Sequence, residues 1–190
     1  MAGKVVILCA PSGSGKTTLA KYLLSKKKLN LKFSISATTR TIRDNEKDGV
    51  DYHFLSKSEF KKKINNNEFI EFEEVYGGVH YGTLKSEVEN IWTNSEVALF
   101  DIDVVGGFNI KTMYPTDTLS IFVMPPSIDT LRKRLISRGD ISDDEINRRI
   151  NKAELELDFA SKFDKIIINN DLEESKIIAS NLVNEFIENE

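Results

Sequence analysis

Apolar residues run over positions 5–9, 97–100 and 119–124, the last broken only by Ser120, and a shorter run covers 166–168. Near-continuous runs of that length predict strands buried on both faces. Between them, apolar positions recur every three to four residues and predict helices over 17–24, about 127–138, 143–159 and 173–188. Ser127 follows Pro125-Pro126 and fits the N-cap of the second of these. Strands alternating with helices predict an α/β fold, a parallel sheet flanked by helices in a doubly wound core. The middle of the chain breaks this rhythm. Short alternating stretches at 33–36, 51–54 and 69–73 predict a small antiparallel sheet, with a helix over 57–66 between its strands. A second excursion, about 127–157, reads as all helical and rich in arginine, with Gly139 and the acidic stretch 140–145 as its turn. No internal repeat is present.

The composition narrows the picture only slightly. With 190 residues, 40% hydrophobic and 29% charged, the chain suits one sizeable core carrying small inserted subdomains. A net charge of −4 offers no general attraction to nucleic acid or anionic membranes, and neither is expected as a partner. A lone cysteine, Cys9, excludes an intrachain disulfide and a cysteine-based zinc cluster, and its place in the first strand suits a small core residue. No apolar run approaches a membrane span, and the N-terminal one is too short for a signal peptide. A cytoplasmic protein is the expectation.

The chemistry begins at Ala10-Pro11-Ser12-Gly13-Ser14-Gly15-Lys16-Thr17, which follows a buried-type strand and opens a helix. A phosphate-binding P-loop needs this order. Successive backbone N–H groups converge on one concavity, and the helix N-terminus adds its own donors and the positive end of its dipole. Pro11, Ser12, Gly13, Ser14, Gly15, Lys16, Thr17 and Thr18 therefore form the candidate nucleotide-phosphate cradle. Lys16 reaches the β/γ-phosphates, and the Thr17 hydroxyl suits Mg²⁺. Ala10 replaces the usual first glycine, which is tolerable only if its φ is negative and its methyl has room.

Later residues are weaker signals singly. Asp101 ends a buried strand as a Walker B carboxylate does, holding Mg²⁺ directly or through water, and Asp103 shares its face. The alternative is a cap for a turn near Gly106-Gly107. Arg40 and Arg43 could offer forked donors to one phosphate, with Tyr52 and Tyr81 completing the shell. Taken alone, they read as ordinary surface. Glu71 suits the N1–H and exocyclic amine of guanine, or is a polar residue on a strand's outer face. Arg134 and Arg138, four apart, and Arg148-Arg149 could converge on a phosphoryl group, or pair with Asp143, Asp144 and Glu145 as a solvated face. His53 and His80 have no metal-ligand spacing.

In order along the chain, Ala10–Thr17, the 33–43 stretch, 49–54, 67–72, Tyr81-Gly82-Thr83, 100–103, 125–127, Arg138-Gly139 and 169–172 resemble the guanylate kinases. The likeness covers essentially the whole chain. It implies a P-loop core (1–31, 90–126, 157–190), an inserted α+β GMP-binding subdomain (32–89) and a helical lid (127–156). It further implies transfer of the γ-phosphoryl of ATP to GMP with Mg²⁺, in a monomer or homodimer. By position, Ser36, Glu71, Thr83 and Asp103 would recognise guanine, and Arg40, Arg43, Tyr52 and Tyr81 the GMP phosphate. Lys16, Arg134, Arg138 and Arg149 would surround the transferring phosphoryl. Asn169 would lie near adenine, and Asp101 would organise the Mg²⁺ water shell and bound GMP. Three positions depart from the family pattern: Ala10, Ile42 for a usual proline, and Val105 for a common glutamine. A ribose bisphosphate kinase of the same fold would lack the guanine-reading set. A non-catalytic guanylate-kinase-like module binding phosphopeptides would lack Lys16 and the lid arginines. All of these are present.

Overall fold

The computed structural model describes residues 3–137, 139 and 142–189. Five parallel strands form the central sheet: β1 (Val5–Cys9), β2 (Leu31–Phe33), β7 (Val97–Asp101), β8 (Thr118–Met124) and β9 (Lys165–Ile168), in the order β2-β7-β1-β8-β9. Every residue of β1 is buried, because helices cover both faces. Alternation divides the strand between two cores. Val6 and Leu8 join Leu19 and Leu23 of α1 (Lys16–Ser25) and Ala179 and Val183 of α7 (Leu172–Glu188). Val5, Ile7 and Cys9 join Val88 and Ile91 of α3 (Lys85–Thr93) and Val104 and Ile110 of α4 (Val104–Met113). The doubly wound core expected from the sequence is thus present. Burial pushes the Cys9 thiol far above its ordinary value, which suits a core residue.

The expected middle sheet exists with different edges. It has four strands in the order β4-β3-β6-β5: β3 (Ala37–Thr38), β4 (His53–Phe54), β5 (Phe69–Val75) and β6 (Val79–Leu84). Its pairing is mixed, not purely antiparallel, since β3 and β4 run parallel. The 33–36 stretch is not one of its strands. Leu31–Phe33 pairs with β7 in the central sheet, and the small sheet begins only at Ala37. Alternation marks a half-buried strand without saying which sheet supplies its partner. Between β4 and β5, α2 (Lys57–Asn65) starts in a capping box made by Ser56 and Glu59. Phe60 of α2 stacks on Phe69, the centre of a small separate core.

Gly106 and Gly107 lie inside α4, not in a turn. The helix starts because the Asp103 carboxylate accepts from the Gly106 N–H at 2.8 Å. A Cβ on Gly107 would collide with Cys9 Sγ, and one on Gly106 would sit 2.6 Å from Ile102 Cδ1. The glycines let α4 settle onto β1. The second excursion is a helix pair, α5 (Ile128–Ser137) and α6 (Asp143–Leu157), joined through Leu131, Leu135, Ile146, Ile150 and Ala153. Ser127 Oγ accepts from the Thr130 N–H at 3.1 Å, as an N-cap should. No helix among the described residues is long and apolar enough to cross a membrane.

Candidate active site

β1 lies between β7 and β8, so the chain leaves the sheet on opposite sides of its C-terminal end. Doubly wound sheets open a crevice at such a switch point. The P-loop emerges there. Gly13 and Gly15 take φ of 95° and 94°, values strained for any side chain. A Cβ on Gly15 would also strike the Asn169 side chain, and one on Gly13 would come within 3.0 Å of Leu131 of α5. Ala10 satisfies the condition set by its methyl. It is absent from the positive-φ residues and sits buried beside Val6 and Leu8.

The loop lines a cavity of about 340 Å³ together with Lys16, Thr17, Thr18, Asp101 and Asp103. Register puts Asp101 beside Leu8, directly under the loop. Lys16 Nζ stands 2.8 Å from Asp101 Oδ1 and donates to the Ile102 carbonyl at 2.7 Å. The Thr17 hydroxyl donates to Asp101 Oδ2 at 2.9 Å. A hydroxyl and a carboxylate held together are hard oxygen donors that suit Mg²⁺, which takes one or two protein groups and completes its shell with phosphate and water.

A second cavity, about 190 Å³, adjoins the first and shares Asp101 and Asp103 with it. Ser36, Tyr52, Glu71, Glu73 and Tyr81 supply the rest of its polar lining. Glu71 is buried, and Thr83 Oγ1 donates to its Oε1 at 2.8 Å. Burial, against only this partial compensation, lifts the Glu71 carboxyl from 4.5 to about 7. Tyr52 and Tyr81 meet edge to face with centroids 5.8 Å apart.

The predicted arginines are placed less simply. Arg40 points its Nη1 and Nη2 at the two oxygens of Glu46, at 2.9 and 2.8 Å, instead of at open space. Its Nη1 also donates to the Thr41 carbonyl and its Nε to the Tyr81 hydroxyl, so one of a guanidinium's five N–H groups is left. Arg43 meets the same Glu46 through its backbone N–H at 3.0 Å. Arg134 donates to the Asn169 carbonyl at 2.9 Å, and Arg149 bonds Glu145 at 2.9 Å and reaches Ser12 Oγ at 3.4 Å. Arg138 lies outside the described residues, as do Asp140 and Ile141 of the expected turn. Asn169 is buried beneath the loop and donates to the Ser14 carbonyl at 2.6 Å, while its Oδ1 has no partner. Its amide therefore serves the loop. His53 sits 3.2 Å from Glu87 and His80 3.8 Å from Glu74.

Four lining or contacting residues escaped the sequence reading. Glu73 was accessible to it, since it lies two positions from Glu71 on the same strand face. Lys152 and Glu156, which line the first cavity, follow Arg149 at helical spacing on α6. Glu46 carries no local signal, because its partner Arg40 approaches across a loop.

Comparison with known proteins agrees with this geometry. The guanylate kinase family model matches residues 2–190. The guanylate kinase of Bacteroides fragilis is 56% identical over 184 residues, spanning 97% of this chain and 90% of that one. That of Bacteroides thetaiotaomicron is 52% identical over 190 residues, 100% of this chain and 93% of its own. The crystal structure of guanylate kinase from Anaplasma phagocytophilum superposes with a TM-score of 0.76 at 32% identity, covering 97% of this chain and 86% of that chain. With a P-loop cavity opening onto a carboxylate-lined one, and relatives matched from end to end, the chain belongs to the guanylate kinase family.

Proposed function

We propose that the protein transfers the γ-phosphoryl of ATP to GMP, giving ADP and GDP. The observation that carries the reading is the pair of adjoining cavities with Asp101 and Asp103 in their common wall. ATP phosphates suit the first, whose wall is backbone N–H groups plus Lys16. GMP suits the second, where Glu71 and Asp103 offer acceptors to the donor edge of guanine. Ser36 and Thr83 belong to the same guanine set, and Arg40, Arg43, Tyr52 and Tyr81 to the GMP phosphate. For Arg40 to act as a fork, Glu46 must yield its place. Otherwise Arg40 works through its remaining N–H and by holding the Tyr81 hydroxyl.

The GMP phosphate is already an anionic nucleophile, so positioning and charge neutralisation carry the rate and no general base is required. Lys16, Arg134, Arg138 and Arg149 are the cations assigned to the transferring group. Mg²⁺ bound through Thr17, with Asp101 acting through water, would offset charge on the β- and γ-oxygens. Asn169, under the loop, keeps the cradle in shape on the ATP side. We assign the core to 1–31, 90–126 and 157–190, the GMP-binding part to 32–89 and the lid to 127–156. Support for this division comes from the separate small cores at Phe60 and Leu131. Closing both parts on the core would exclude water from ATP.

A coupled ADP-release assay with ATP against GMP, AMP, UMP, CMP and ribose 1,5-bisphosphate tests the proposal. Turnover with GMP should exceed that with every other acceptor by at least about 10²-fold. Equal turnover of AMP, or none with GMP, would overturn it.

A further inference from the structure

Asp103 borders both substrate cavities and also a third hollow of about 220 Å³ behind them. Two side chains without a role in the proposed reaction share these walls with Asp103. Glu73, on β5, lines the second cavity and the hollow. Lys152, on α6, lines the first cavity and the hollow. Glu73 and Asp103 line the second cavity and the hollow together, and Asp103 Oδ1 already accepts from the Gly106 N–H at 2.8 Å. Lys152 Nζ lies 3.4 Å from Glu156 and in the field of Asp103 and Glu73. One cation, Lys152, thus stands among three carboxyl groups around one hollow, Glu73, Asp103 and Glu156, and offsets the repulsion that would otherwise disperse them.

β5 belongs to the small sheet and α6 to the helical excursion, each with its own core, while Asp103 begins α4 on the central sheet. We propose that Glu73 and Lys152 are positioning residues that clasp Asp103 from two sides, tying the small sheet to the helical excursion across the seam of the cavities and setting Asp103 for the acceptor nucleotide. The proposal rests on reading the second cavity as the GMP site. Its role is exerted through Asp103, so acceptor binding should feel its loss more than donor binding.

Steady-state kinetics with ATP and GMP on the full chain tests it, using E73A, E73Q, K152M, K152R and the double variant E73A/K152M. Thermal melts of each variant run alongside. E73A and K152M should each raise KM for GMP about tenfold while KM for ATP moves less than about threefold. K152R keeps the cation and E73Q keeps a polar side chain of the same size beside Asp103, so both should recover most of the loss. The double variant should be little worse than the poorer single one, because both act on one carboxylate. The clasp is overturned if E73A and K152M leave KM for GMP within about twofold of the parent, or if their losses multiply independently. A parent protein that turns over other acceptors but not GMP strikes down the substrate reading and the clasp together, whereas a fully active parent with indifferent variants removes the clasp alone.

Discussion

The two cavities are made of different materials. The first is built around backbone: a contiguous loop in which Gly13 and Gly15 adopt a left-handed conformation and Asn169 holds the Ser14 carbonyl from below. The second is walled by side chains drawn from β5, β6 and the segments entering β3 and β4, brought together by strand register. A backbone cradle binds any polyphosphate of the right charge and carries little selectivity. A side-chain wall can demand a particular set of donors and acceptors, and it can be altered one residue at a time.

The largest effect should come from removing the lysine that the loop itself contributes to the backbone cavity. Lys16→Ala is expected to lower kcat about 10³-fold while the circular dichroism spectrum and melt persist, because the amine is engaged at the cavity and not in either core. An undiminished kcat would break the contrast at its strongest point.

Next comes the side-chain cavity. Glu71→Gln should raise KM for GMP about 10²-fold and leave KM for ATP nearly unchanged, since Gln presents one acceptor where guanine offers two donors. Equal losses for both nucleotides would mean that the two cavities are not separable. The same variant should melt higher than the parent above pH 7. Burial raises the folded-state value of Glu71 from 4.5 to about 7. Its contribution to stability is therefore complete below pH 4.5 and declines as pH rises toward 7. Gln removes that decline, a gain on the order of 1–3 kcal/mol that fades as pH falls. Guanine binding draws on the ionised carboxylate, so the parent's KM for GMP should climb as pH drops below about 7. In Glu71→Gln that slope should flatten.

The smallest effect belongs to Ala10→Gly. Ala10 has no positive φ and a buried methyl, so restoring the family's glycine should change kcat and KM by less than about twofold. It should cost about 0.5–1 kcal/mol of stability by loosening the unfolded chain, visible as a lower Tm. A large gain in activity would show the backbone cavity to be compromised as it stands.

Legibility followed the same division. The P-loop, β1, β8 and the helices at 128–137, 143–157 and 172–188 were readable because consecutive residues specify each, with a capping side chain at the helix starts. α4 was not, since Gly106-Gly107 looks like a turn until β1 is seen to need close approach there. The 33–36 stretch, expected in the small sheet, overlaps a strand of the central one at Phe33, because alternation is blind to the partner strand. Arg40 was expected to face a ligand and instead faces Glu46, six residues on across a loop that has no period to read.

The sequence by itself determined the α/β class, the phosphate cradle and most of the residue types that an acceptor would need. These depend on local backbone geometry and on hydrophobic period, both of which are written in consecutive residues. Only the tertiary structure decided that Asp101 and Asp103 form the common wall, that Glu71 is buried enough for its carboxyl to be lifted to about 7, and that Glu73 and Lys152 line cavities with Asp103. Burial and charge proximity arise from elements far apart in the chain, and no local pattern encodes them.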